Sequence, residues 1–117
     1  MIEQLVAKVF ASRNAAHLQH WRTKSYAEHV ALGEFYDGVI DAIDAIVESH
    51  QGAFKLIGSV DLEPVKTKNM IELLLKDVMW IDENRSKISQ GICAIENQID
   101  TLSDLYLSTL YKLKNLS

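Results

Sequence analysis

The chain has one cysteine, Cys93, and one proline, Pro64, in 117 residues. A single thiol cannot form an internal disulfide and suits a reducing compartment, so a cytoplasmic protein is expected. One proline and five glycines leave long stretches free of helix breakers. No apolar run approaches the roughly 20 residues of a membrane span. Glu3 comes early and no small-residue cleavage site follows it, so no signal peptide is expected. A basic excess is also missing: 12 Lys and Arg stand against 16 Asp and Glu, for a net charge of -4. Phosphate-tracking proteins depend on clustered Lys and Arg, so nucleic acid is not an expected partner. The chain has no glycine-rich phosphate loop, no Cys-x-x-Cys, no nucleophile elbow and no internal repeat. It has no Glu-x-x-His pair either, which argues against a di-iron centre enclosed within one bundle.

Near-even apolar content with modest charge describes a globular chain, and the length suits a single helical domain over residues 1–117. Residues 2 to 23 read as a first helix. Ile2, Leu5, Val6, Val9, Arg13, Ala16 and His20 recur at steps of three and four and make one stripe. His20 extends that stripe, so it points inward or at a partner. His17, one turn earlier, is a substitute ligand or a surface histidine. Trp21 either covers a site or plugs the end of the bundle.

Ser25 followed by Glu28 is a capping box, so a second helix starts at Tyr26. Gly52 is a natural stop. At about 100° per residue, Leu32, Tyr36, Val39, Ile40, Ile43 and Val47 share one side of this helix. His29, Asp44 and Glu48 lie on its flank, with Asp37 and Asp41 nearer the polar face. Such a flank is a solvated edge or a metal site. Imidazole and carboxylate together suit iron, manganese or zinc. Asp44 and Glu48 are four apart, so both reach one ion. His29 and Asp44, however, are separated by roughly 22 Å of helix. They can share an ion only if a second copy runs antiparallel across a two-fold axis.

The run His20-Trp21, His29, Asp44 and Glu48 resembles the metal signature of the mini-ferritins, the Dps-type proteins of the ferritin-like superfamily. Trp80–Arg85 and Asp100–Leu105 resemble the family's third and fourth helices more weakly. The resemblance implies an all-α, four-helix ferritin-like bundle with a long crossover between helices 2 and 3. It implies a homodimer or larger homo-oligomer. His20 and His29 of one subunit would face Asp44 and Glu48 of the next and bind iron, Fe(II) being oxidised to Fe(III) with peroxide. These four residues are then the expected catalytic and metal-binding set, in a ferroxidase serving iron storage and oxidative stress protection. Three features depart from the family. Gly33 stands where another carboxylate is usual, the helix 1–2 hairpin is shorter, and a basic N-terminal tail is missing. The alternative is a non-catalytic oligomeric binding protein on the same scaffold.

Residues 53 to 66 break the helical pattern with Gly58 and Pro64. Extended, they reach about 46–50 Å, enough to travel the length of a bundle. Phe54, Leu56, Ile57, Val60 and Leu62 are expected to hold them to it. A third helix is expected from Thr67, with Ile71, Leu74, Leu75, Val78, Ile81, Arg85, Ile88 and Ile92 inward and Gly91 as a kink or a close helix contact. Glu72, Asp77, Asp82 and Glu83 are read as solvated charge, and Cys93 as a small packed residue. Thr101-Leu102-Ser103-Asp104 resembles a capping pattern, which places the last helix from Leu102 to Asn115. Its Leu105, Leu107, Leu110, Tyr111, Leu113 and Leu116 make it apolar on more than one side, which suggests burial at a subunit interface or a helix clamped deep in the bundle.

Overall fold

In a computed structural model, which describes residues 1–65 and 69–117, four helices follow one another: α1 (Ile2–Arg22), α2 (Tyr26–Ala53), α3 (Met70–Ser89) and α4 (Cys93–Asn115). The helix ends follow local chemistry. Ser25 Oγ accepts the Glu28 backbone N–H at 3.2 Å and starts α2. The other half of the expected box is not made: the Glu28 carboxylate accepts from Gln19 Nε2 at 2.9 Å, tying α2 back to α1. Asn69 caps α3 by accepting the Glu72 N–H at 3.1 Å. The expected start at Thr67 lies outside the described residues.

α1 packs on α2 and α3, and α4 packs on the same two helices, so the four stand in a square. Residue pairs fix their directions. Lys8 lies over Trp80 while Ser12 meets Asp77, so α1 and α3 are antiparallel. Ser49 meets Gln98 while Glu34 meets Lys112, so α2 and α4 are antiparallel too. The two hairpins complete a set in which every adjacent pair is antiparallel. That arrangement requires one long connection, because α3 must start at the end where α2 began. The crossover leaves Ala53 and travels the length of the bundle. Two bonds guide its first part: Gln51 Oε1 accepts Ile57 N–H at 3.1 Å, and Glu3 Oε2 accepts Gly58 N–H at 2.8 Å. Ile57, Val60 and Val65 pack against the core, whereas Phe54, Leu56 and Leu62 are exposed. The expectation that all five apolar residues anchor the segment therefore holds for Ile57 and Val60.

The core is a single cluster with Leu5, Leu32, Phe35, Leu74, Ile81, Ile95, Ile99 and Leu102 fully inside. On α2 the buried line runs through Phe35, Val39, Ile43 and Ile46, so the inward face is turned slightly from the expected one. Tyr36 and Val47 sit at its margin. The larger difference lies between residues 89 and 102. α3 ends at Ser89, Gln90 adopts the left-handed conformation at φ 51°, and Gly91 follows at φ 85°. The chain reverses there, and α4 begins at Cys93 rather than Leu102. Gly91 thus belongs to a turn and not to a kink. Thr101 is inside α4, where its hydroxyl donates to the Asn97 carbonyl at 3.2 Å, and Cys93 is exposed. Leu107, Tyr111 and Leu116 face outward, so α4 has one buried side.

Candidate functional site

The short α1–α2 hairpin brings three histidines together on one face. His20 Nδ1 lies 2.6 Å from the His29 carbonyl oxygen, and His29 Nδ1 lies 2.8 Å from the His20 carbonyl oxygen. A carbonyl only accepts, so both Nδ1 atoms carry the proton. In the neutral rings both Nε2 atoms then keep a lone pair, the form in which imidazole binds a metal. The two rings stack with centroids 3.7 Å apart and planes 16° apart. The His20 carbonyl is one of the last four of α1, which have no intrahelical partner, so the His29 ring also caps α1.

The reciprocal pair explains Gly33. A Cβ at that position would sit 3.1 Å from His20 Cε1 and 3.3 Å from His20 Nδ1. The missing side chain is the space in which the His20 ring rests on α2. His17 stacks on Tyr36 at 4.0 Å and touches Trp21 at 4.3 Å, and the Arg13 guanidinium lies 5.3 Å from the Tyr36 ring. His17 is thus an aromatic neighbour of the pair and half-buried. Trp21 and Tyr26 are 67% and 81% exposed, so Trp21 neither plugs the bundle nor is itself covered.

Asp44 and Glu48 lie one turn apart on the outer face of α2 and are exposed, as are Asp37 and Asp41. With Glu34 they form an acidic row at steps of three and four. Lys112 Nζ pairs with Glu34 at 2.8 Å, at one end of that row. Within one chain the two histidines are brought together, and the two carboxylates are brought together further along α2. The two pairs do not meet. Among the described residues no group of three or more His, Cys, Asp or Glu converges within the chain.

A second polar cluster, not singled out by sequence reasoning, lies in the interior. Ser12 of α1 is bonded to Asp77 of α3, and the Tyr106 hydroxyl of α4 donates to Ser12 Oγ at 3.0 Å. All three residues are buried, which corrects the reading of Asp77 as solvated charge. Burial pushes the Asp77 carboxyl above its ordinary value, against the opposing pull of the Ser12 bond and of Lys8 and Lys76. Burial likewise pushes the Tyr106 hydroxyl up. A signal was available: Leu74, Asp77, Val78 and Ile81 share the spacing of one stripe, as do Leu5, Val9, Ser12 and Ala16.

Fold and side chains define a four-helix bundle with one long crossover and a histidine-bearing hairpin. The model of a family of unknown function (DUF5856) matches residues 20–113, and the chain belongs to that family. The matched stretch takes in His20, His29, Asp44, Glu48 and Gly33. No curated protein and no solved structure matches the chain. No helix among the described residues is long and apolar enough to cross a membrane.

Proposed function

We propose that this bundle is a mini-ferritin-like, iron-binding protein whose metal site forms between two antiparallel copies. His20 or His29 of one subunit faces Asp44 and Glu48 of the partner subunit, and Fe(II) is the substrate. The observation that carries this reading is the reciprocal histidine pair. Each Nδ1 is held by a backbone carbonyl, so the rings are fixed in orientation and tautomer with Nε2 left for a ligand. Rings stacked nearly parallel at 3.7 Å cannot both aim in-plane lone pairs at one ion, so each ion takes one imidazole. Asp44 and Glu48, one turn apart and exposed, supply the hard oxygen donors that Fe(II) prefers. Oxidation removes one electron from each of two Fe(II) ions. One hydrogen peroxide takes both, with two protons, and leaves as two waters. Gly33 contributes no donor, so the site is poorer in carboxylate than the mini-ferritin pattern.

A second reading is favoured by that same glycine. The His20 ring fills the space over Gly33, and both rings join α1 to α2 through Nδ1. On this reading the protein is a non-catalytic oligomeric binding protein, and the histidines hold the hairpin together. Anaerobic Fe(II) titration by calorimetry of the metal-stripped protein separates the two, followed by peroxide and absorbance at the ferric band. Saturable binding is expected, at least about tenfold weaker in the Asp44→Ala, Glu48→Ala variant, with melting unchanged. Equal behaviour of the two proteins would sink the iron assignment and favour the second reading.

A further inference from the structure

The seam between α1 and α3 is the sparsest of the four contacts between adjacent helices, and it borders a cavity of about 450 Å³. Asp77 is 5% exposed and lies on the wall of that cavity, where the crossover segment 61–65 forms another side. Among the described residues it is the one buried carboxylate. The charged groups around it come from three directions. Lys8 belongs to α1, Glu72 and Lys76 to α3, and Asp61 and Glu63 to the crossover. From α4 the titratable neighbour is the Tyr106 hydroxyl, which reaches Asp77 through Ser12.

We propose that Asp77 is a proton-controlled strut: as the neutral acid it holds α1 to α3, and on losing its proton to water in the cavity it loosens that seam under the crossover. The hydrogen-bond count supports this. Ser12 Oγ has three partners, namely Asp77, Tyr106 and the Lys8 carbonyl at 2.9 Å. A hydroxyl has one proton and two lone pairs. With Asp77 neutral, its O–H and the Tyr106 O–H fill the two lone pairs, and the Ser12 proton goes to the Lys8 carbonyl. All three contacts are then hydrogen bonds. With Asp77 ionised, the Ser12 proton must turn to the carboxylate and the contact with the Lys8 carbonyl is given up. The new charge lies against buried apolar side chains and shares its cavity with Asp61, Glu63 and Glu72. Lys8 and Lys76 oppose this, but Lys8 is placed over the Trp80 ring at 5.0 Å. The direction in which burial pushes the carboxyl agrees with the count.

The test uses the full chain. The ¹³C shift of the Asp77 carboxyl is followed from acid to mildly alkaline pH, together with amide exchange of residues 8–12 and 73–78. The carboxyl midpoint should lie well above the ordinary value of about 4, each unit being a tenfold preference for the proton. Exchange protection in wild type, relative to Asp77→Asn, should fall through that same midpoint as pH rises. An ordinary midpoint, or the same pH dependence in both proteins, would overturn the proposal. If Asp77→Asn does not fold, Ser12→Ala provides a second arm. Loss of the hydroxyl that accepts the Asp77 proton should move the midpoint down towards the ordinary value, and no movement or a rise overturns the proposal.

Discussion

The histidine face of the hairpin and the Ser12–Asp77–Tyr106 cluster both join helices through polar side chains, but they do so under opposite conditions. The hairpin histidines are half-buried and bond to backbone carbonyls, so water can replace what a mutation removes. The interior cluster bonds side chain to side chain across three helices, with Ser12 and Tyr106 fully buried. A group left without its partner there bears the full cost of desolvation. Polar residues at the surface can thus be spent on binding, while those inside are committed to the fold. The same distinction separates Asp44 and Glu48, exposed and free to meet an ion, from Asp77.

The largest expected effect tests the interior half of that contrast. Tyr106→Ala removes a fully buried ring that meets Phe35 edge-on at 4.9 Å, and should cost about 3–5 kcal/mol in a denaturant titration. Tyr106→Phe keeps the ring and should cost only about 1–2 kcal/mol, the value of one buried hydrogen bond. Equal losses would mean that the ring's packing counts for little.

The next prediction concerns pH. Burial lowers the proton affinity of His50, whose Nδ1 is buried without a hydrogen-bond partner among the described residues. A folded-state pKa below the unfolded one means that the unfolded chain binds the proton more tightly. Stability is therefore intact above about 6.5 and falls as pH drops through the depressed folded value. Asp77 has the opposite sign. Its folded pKa is raised, so its contribution is complete below about 4 and is lost as pH rises through the folded value. Melting temperature against pH should flatten on the acid side in His50→Leu. An unchanged acid limb would assign that limb to other groups.

The smallest expected effects belong to the hairpin. Ser25→Ala removes the α2 cap and should cost about 1 kcal/mol. Trp21→Ala, at an exposed position, should change stability by no more than about 0.5 kcal/mol. A larger Trp21 effect that grows with protein concentration would show the indole to be buried by a second copy.

Much of the architecture was legible because its punctuation is local. The α2 start at Tyr26 follows from Ser25 and Glu28, and the crossover from Gly58, Pro64 and the broken periodicity. The α3–α4 turn was not legible, because its first left-handed residue is Gln90, a residue type that rarely adopts that conformation. Gly91 alone looked like an interruption within one helix. The interior cluster was missed for a different reason. Ser12 and Asp77 fall on the buried stripes, but their polarity hides them from a pattern built on apolar residues. Tyr106 was passed over while its neighbours Leu105 and Leu107 were singled out as apolar residues of the last helix. At the hairpin, spacing singled out His20 and His29 and could not show that they bond to each other. Gly33 read as a missing donor, and its closeness to the His20 ring could not be seen from spacing.

The long crossover has one more consequence. Because it returns the chain to the hairpin end before α3 begins, each end of the bundle carries two helix N-termini and two C-termini. The four helix macrodipoles therefore cancel in pairs, and neither end presents a net field from the backbone. An ion approaching along the bundle axis is not guided by the helices. What field the protein projects comes from its side chains, among them the exposed carboxylate row from Glu34 to Glu48, which faces sideways from α2. Negative charge on α2 is thus presented on the flank of the molecule rather than at its ends.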